Sequence, residues 1–227
     1  MSLIYHTDCE QGGSDWLALR AGRITSSDAK NVLPLSALFP DDKNKRDNAK
    51  GQLGYALRLA TERVTGQPVG PTFNATDAMT RGTLLEPEAR DAYAAATGHA
   101  ITTVAFISDE ERLIGDSPDG LVYGGGESPI GGVEIKCVDP AQHWEWREGG
   151  EIPREHLRQM LHHLHVVQAA AWWDFFSWHP CLPGRTGQFR VRLTREAAAT
   201  QLAIYAAACD AFEAKVQALV EKIRSEA

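Results

Sequence analysis

An α/β fold, with a central mixed β-sheet flanked by helices, is the class this sequence predicts, and three observations predict it. Apolar residues recur at helical spacing through much of the stretch that ends at Gly98. Segments rich in β-branched and aromatic residues follow over 101–137 and return over 171–194. An alanine-rich run from Arg195 to the end then closes the chain. Helices, a sheet and helices again make one layered α/β domain spanning 1–227.

The elements follow in order. SDWLALRAGRITSSDAKNVL reads as a helix, a short break and a second helix, with T-S-S-D as the second helix's cap. PLSALFPDDKNKRDNAKG carries two prolines and many charges and reads as an exposed loop. Its Lys43, Lys45, Arg46 and Lys50 suit either a track for a phosphate backbone or simple solvation. LGYALRLATERVTGQ is helical, PVGPTFNATD is a loop, and AMTRGTLLEPEARDAYAAATG is a helix stopped at Gly98. ITTVAFISD reads as a strand. RLIGDSPDGLVY and GGVEIKCV read as two more, joined by the G-G-G-E-S-P turn. EHLRQMLHHLHVVQAAA is a helix, AWWDFFSWHP and GQFRVRLT are strands, and the alanine-rich tail is a long helix.

Bulk composition narrows the function classes. Of 227 residues, 43% are hydrophobic and 23% charged, which is ordinary globular material. The net charge of -7 excludes a uniformly basic coat for nucleic acid but permits a local basic track. Cys9, Cys137, Cys181 and Cys209 form no CxxC pair, so neither a zinc ribbon nor an iron–sulfur cluster is suggested. The N-terminal residues lack the order of a signal peptide, and no apolar run reaches the roughly 18 residues of a membrane span. The expectation is a reduced, soluble, cytoplasmic protein.

The chemistry concentrates in GDSPDGLVYGGGESPIGGVEIKC, residues 115–137. Side chains two apart on a strand share a face, so Glu134 and Lys136 point one way and Val133, Ile135 and Cys137 the other. Asp119, at the end of the preceding strand after Pro118, is able to approach that polar face. Two carboxylates and an ammonium then converge. Such hard oxygen donors suit magnesium, and the lysine suits a water or a developing phosphorane charge. Taken alone, an E-x-K is most simply a surface salt bridge; S-P-D-G at hairpin distance ahead of it favours a site.

S-P-D-G, the fifteen positions from Asp119 to Glu134, and E-I-K resemble the PD-(D/E)xK nuclease superfamily. The closer resemblance is to the phage-type alkaline exonucleases, the lambda exonuclease (YqaJ-like viral recombinase) family. W-L-A-L-R-A-G-R-I-T-S-S resembles that family's opening motif, R-G-T-L-L-E-P-E-A-R its second, and E-H-L-R-Q-M-L-H-H-L its late helix. Four motifs in the family's order span residues 16 to about 168.

The resemblance implies a restriction-endonuclease-like core and a set of roles. Asp119 and Glu134 become metal-binding carboxylates, with the backbone carbonyl of Ile135 as a further ligand. Lys136 positions the attacking water, Glu86 assists the metal site or the water, and Gln159 sits beside the nucleophile. Arg20, Ser27 and Ser117 match the positions that hold a 5′-terminal phosphate, a task for which guanidinium is well shaped. The late motif often has a tyrosine three residues before its glutamine; here that position is His156.

Also implied are Mg2+ (or Mn2+) as cofactor, double-stranded DNA ends as substrate, and 5′-to-3′ degradation to 5′-mononucleotides with a 3′ overhang. A ring-shaped homotrimer, a single-strand annealing protein as partner and a place in a bacterial host cell as a phage or prophage protein complete that picture.

Two other classes stay open on the residues alone. The same core suits a structure- or sequence-selective endonuclease, and an acidic cluster also suits a non-catalytic DNA-end binding module. His162, His163 and His165 invite a zinc site, but no H-E-x-x-H or cysteine pair completes one, and packing or surface placement is the better reading. The aromatics of AWWDFFSW read as core rather than as a base-stacking platform.

Overall fold

The computed structural model describes residues 3–41, 49–70 and 77–227. The chain opens with β1 (Leu3–His6), α1 (Ser14–Arg20), β2 (Ile24–Thr25), α2 (Ala29–Val32) and α3 (Leu35–Leu38). Two longer helices follow, α4 (Ala49–Thr65) and α5 (Asp77–Thr97). Then come β3 (Ile101–Thr102), β4 (Phe106–Asp109), β5 (Ile114–Asp116), β6 (Gly120–Tyr123) and β7 (Pro129–Lys136). The last third holds α6 (Pro140–Gly149), α7 (Arg154–Val166), β8 (Trp172–Trp178), β9 (Gln188–Thr194) and α8 (Ala199–Glu226).

The expected mixed sheet is the five-stranded one, ordered β3-β6-β7-β8-β9. Its strands β7 and β8 run parallel and the other pairs antiparallel. A parallel pair needs a long crossover, and α6 and α7 supply it. β7 approaches β8 closely because of Gly131 and Gly132. A Cβ on either would meet the indole rings of Trp172 or Trp173 at 2.3 or 2.4 Å. Both rings therefore lie against bare backbone. One sheet face packs on α7, with α8 and α4 behind it, through residues such as Leu59, Met160, Leu164, Phe175, Tyr205 and Phe212. The other face packs on α5, where Ala89 and Tyr93 meet Val133, Ile135, Cys137 and Phe176. A buried side chain of this size contributes about 1.5–3 kcal/mol.

Four expectations change. ITTVAFISD is not one strand: β3 belongs to the five-stranded sheet and β4 to a second, four-stranded sheet ordered β1-β4-β5-β2. RLIGDSPDGLVY likewise divides into β5 and β6, one in each sheet, and Pro118 lies in the break, where it has no N–H for a ladder. T-S-S-D forms a short 3-10 turn whose side chains do not cap α2; Asp28 instead receives Arg58 at 2.6 Å. The segment after Pro34 is not all loop, because α3 lies within it. Lys50 falls in α4, whereas Lys43, Lys45 and Arg46 and residues 71–76 of the second loop lie outside the described residues.

Three further elements were not expected, β1, β2 and α6. The signals for α6 are local and complete. Asp139 caps it by accepting from the amides of Ala141 and Gln142, Pro140 occupies its first position, and Gly150 ends it at φ 68.

Candidate active site

β7 delivers the polar face that its period-2 pattern predicts. Lys136 Nζ donates to Glu134 Oε1 on one side, while Val133, Ile135 and Cys137 enter the α5 cluster on the other. The β6–β7 ladder ends at Gly120–Val133. One residue further on, Asp119 takes over the role of the missing strand: its Oδ2 accepts from the backbone N–H of Ile135 at 2.6 Å. Asp119 thus stands between β5 and β6, opposite Glu134, rather than at the end of a single long strand.

The electrostatics split the two carboxylates. Burial raises the Asp119 carboxyl well above its ordinary range, and the charges of Glu134 and Glu86 add to the rise. Burial also works against ionised Glu134, but Lys136 and His163 outweigh it and hold that carboxyl down at about 2. Lys136 is itself pushed down by burial and up, by more, by Glu134 and Asp119. Glu86, half-buried on α5 and paired with Arg90 at 2.9 Å, is raised by burial and by Glu134, against Arg90 and Lys136. One carboxylate is firmly ionised, and its neighbours resist further negative charge unless a cation joins them.

His163 is the residue that sequence reasoning passed over. It is fully buried, with Nδ1 2.6 Å from Asp116 Oδ2 and Nε2 2.8 Å from Glu134 Oε2. Both acceptors are carboxylates, so both nitrogens donate. Burial alone would lower this imidazole, but Asp116 and Glu134 raise it to about 10. Its ring stacks on Trp173, with centroids 4.7 Å apart and planes 10° from parallel. Nothing in H-H-L-H names these partners, which lie 47 and 29 positions away. Its neighbour His162 is held between Gly115 O and Tyr205 Oη, each at 2.8 Å, and burial lowers it to about 4. Both ring nitrogens of each histidine are already engaged.

A second polar pocket lies beside this one. Arg20, at the end of α1, donates to Ser27 Oγ at 2.8 Å, Thr25 Oγ1 at 3.2 Å and Ser117 Oγ at 3.4 Å. The structure therefore brings Arg20, Ser27 and Ser117 together, as expected. It adds Trp16, whose Nε1 donates to Ser117 Oγ at 3.0 Å and to Ala105 O at 3.1 Å. The Arg20 guanidinium lies 4.1 Å over the Trp16 ring. Burial pulls Arg20 below its ordinary value, opposed by Asp28 and Asp116, and an arginine keeps its charge regardless.

Residues 115–119 tie the two pockets together. The Gly115 carbonyl holds His162, Asp116 holds His163, Ser117 joins the Arg20 group and Asp119 joins β7. From α7, His156, Gln159 and His163 follow one another at helical spacing. Gln159 is half-buried one turn before His163. His156, at the motif's tyrosine position, stacks on Phe175 at 5.3 Å and meets Trp146 edge-on; burial and Lys136 lower it to about 4, so it is neutral.

Among the described residues no three His, Cys, Asp or Glu side chains form a ready-made metal cage. The donors available to an ion are Asp119, Glu134 and the Ile135 carbonyl. Lys136 now covers the Glu134 Oε1 that an ion would take.

The chain matches the family model for the YqaJ-like viral recombinase domain over residues 15–170. No curated protein matches it. Among solved structures it is similar to the alkaline exonuclease LHK-Exo of Laribacter hongkongensis. That match has 29% identity, 94% of this chain and 97% of that one covered, and a TM-score of 0.76. The complex of LHK-Exo with dAMP matches at 29% identity over 95% of this chain and 100% of that one, with a TM-score of 0.70. A phage-related exonuclease of Haemophilus somnus 129PT, at 13% identity over 88% of this chain and 96% of that one, with a TM-score of 0.56, shares the fold. With residues 15–170, more than half its length, inside the matched region, this chain belongs to the YqaJ-like viral recombinase domain family.

Proposed function

We propose that this protein is a magnesium-dependent exonuclease that degrades one strand of linear double-stranded DNA from a 5′ end. Its products are 5′-mononucleotides and a 3′ single-stranded overhang. The observation that carries the reading is the linkage of two unlike pockets by residues 115–119. One is acidic and suited to a cation, and the other is a guanidinium ringed by hydroxyls and suited to a phosphate. The similarity to an alkaline exonuclease, also solved with a nucleoside monophosphate, supports the reaction class.

Asp119 and Glu134 fit magnesium because hard oxygens, one or two carboxylates with water completing the shell, are what that ion takes. The raised Asp119 carboxyl marks a place where positive charge is wanted. When bound, magnesium or manganese supplies the positive charge that activates water and steadies the leaving oxygen. The protein's own groups do the rest. Lys136 leaves Glu134 Oε1 and turns its ammonium to the attacking water or the phosphorane oxygens. Gln159 lies along α7 beside the nucleophile, and Glu86 adds an acceptor from α5. Arg20, with Ser27 and Ser117, grips the terminal 5′-phosphate and so sets the register of the cut strand. A ring-shaped homotrimer and a single-strand annealing partner belong to the same reading, which family membership supports.

The test compares linear duplex DNA with closed circular DNA, with magnesium and with EDTA, for the wild-type protein and Lys136→Ala. Linear DNA disappears into mononucleotides only with magnesium, circles stay intact, and folded Lys136→Ala is inert by a factor of about 10²–10⁴. Nicked circles would mean an endonuclease. No cleavage by folded, magnesium-supplied protein would mean a binding module.

A further inference from the structure

We infer that His163 is a positioning residue that makes Glu134 a one-oxygen ligand for a divalent cation. The inference rests on the ion-binding reading above and concerns how this chain prepares its ligand.

A glutamate has three side-chain torsions, and a free carboxylate offers an ion either oxygen or both. Here the freedom is removed from behind. Glu134 is 1% exposed, and its Oε2 receives His163 Nε2 at 2.8 Å. His163 cannot follow if the carboxylate turns, for two reasons. Its Nδ1 is bonded to Asp116 Oδ2 at 2.6 Å, and Asp116 is itself fully buried. Its ring lies flat on fully buried Trp173, which in turn lies on the bare backbone of Gly132. Three elements, β5, α7 and β8, therefore fix the position of one oxygen.

The other oxygen faces the opposite way. Oε1 accepts from Lys136 Nζ, and the Lys136 side chain is 25% exposed and able to move aside. An arriving ion meets Oε1 alone, because Oε2 is already committed to a donor held by a buried carboxylate. Carboxylates that ligate a metal are commonly held by hydrogen-bond donors behind them, and loss of such a partner weakens metal affinity by about 10–100-fold.

Two substitutions separate this role from simple space filling. The amide nitrogen of His163→Gln reaches the place of Nε2 and keeps a donor for Glu134. That of His163→Asn reaches the place of Nδ1 and keeps a donor only for Asp116. Both remove the ring and its charge equally. The probe is manganese alone, titrated into DNA-free protein and read by the paramagnetic resonance of the free ion, with folding checked by circular dichroism. His163→Asn is expected to bind manganese about 10–100-fold more weakly, and His163→Gln to stay within about threefold of the wild type.

Equal affinities for the two folded variants would overturn the inference while leaving the ion site standing. Wild-type protein that binds no manganese in a manner sensitive to Asp119→Asn would overturn both. A crystal structure of the wild type with manganese reads the same point without any substitution. Oε1 alone on the ion, with Oε2 still on His163, is the expected result, and a bidentate Glu134 contradicts it.

Discussion

Asp119 accepts the backbone N–H of Ile135 at 2.6 Å, and so a carboxylate completes a β-ladder that the strand itself has left. The bond sets Asp119 across from Glu134 on the neighbouring residue. It also leaves Asp119 half-buried among like charges, with its carboxyl raised well above the ordinary range by burial first and then by Glu134 and Glu86. A raised carboxyl stabilises the fold only while protonated, and that contribution fades as pH climbs through its folded value.

Asp119→Asn should therefore be inactive yet no less stable than the wild type at neutral pH in EDTA. The asparagine carbonyl still accepts from Ile135, and the repulsion is gone. Thermal melts in EDTA check this. Added magnesium should raise the wild-type melting temperature and leave that of the variant unmoved.

Trp16→Phe keeps the ring under Arg20 but deletes the N–H that holds Ser117 Oγ and Ala105 O. A hydrogen bond of this kind is worth about 1 kcal/mol. The expected result is a roughly fivefold rise in KM for 5′-phosphorylated duplex, with kcat nearly retained, measured by steady-state degradation.

Adjacent histidines on α7 pull stability in opposite directions. Burial lowers His162 to about 4, so its contribution is complete above the unfolded value near 6.5 and is lost as pH falls towards 4. His163 is raised to about 10, so its contribution is complete below 6.5 and is lost as pH climbs towards 10. The metal-free protein should be most stable near pH 6.5. His162→Gln should flatten the acid limb by about one proton, and His163→Gln the alkaline limb, in urea melts taken across pH.

Asp174 is a heavily engaged carboxylate away from the site. It is fully buried and receives Arg192 at 2.7 and 2.9 Å, Arg190 at 3.1 Å and Tyr93 Oη at 2.7 Å. Asp174→Ala leaves the buried Tyr93 hydroxyl without its acceptor and releases two part-exposed arginines, and should cost about 1–3 kcal/mol in urea unfolding.

Much of the site was legible because its grammar is local. Alternation along V-E-I-K-C fixes which side chains share a face, and Arg20 and Ser27 lie within one short motif. The broken strands were less legible, since β-branched residues run on through Val104 and Ala105 while the chain changes sheets. Only Pro118 marked the second break. The caps of α6 were present in the sequence as Asp139, Pro140 and Gly150, and went unread. The H-H-L-H run pointed to zinc or to packing and named neither partner of His163. A histidine at a helical apolar position looks like packing until the fold supplies Asp116 and Glu134.

The most direct test of the account is strand-resolved digestion of a linear duplex carrying a 5′-phosphate at one end and a 5′-hydroxyl at the other, with magnesium, for the wild type and Arg20→Ala. The wild type should remove the phosphorylated strand first. Arg20→Ala should lose that preference by about 10–100-fold while still cutting, as the loss of one or two charge-assisted bonds requires. Equal loss of both strands by the wild type, or digestion that starts from 3′ ends, would contradict it.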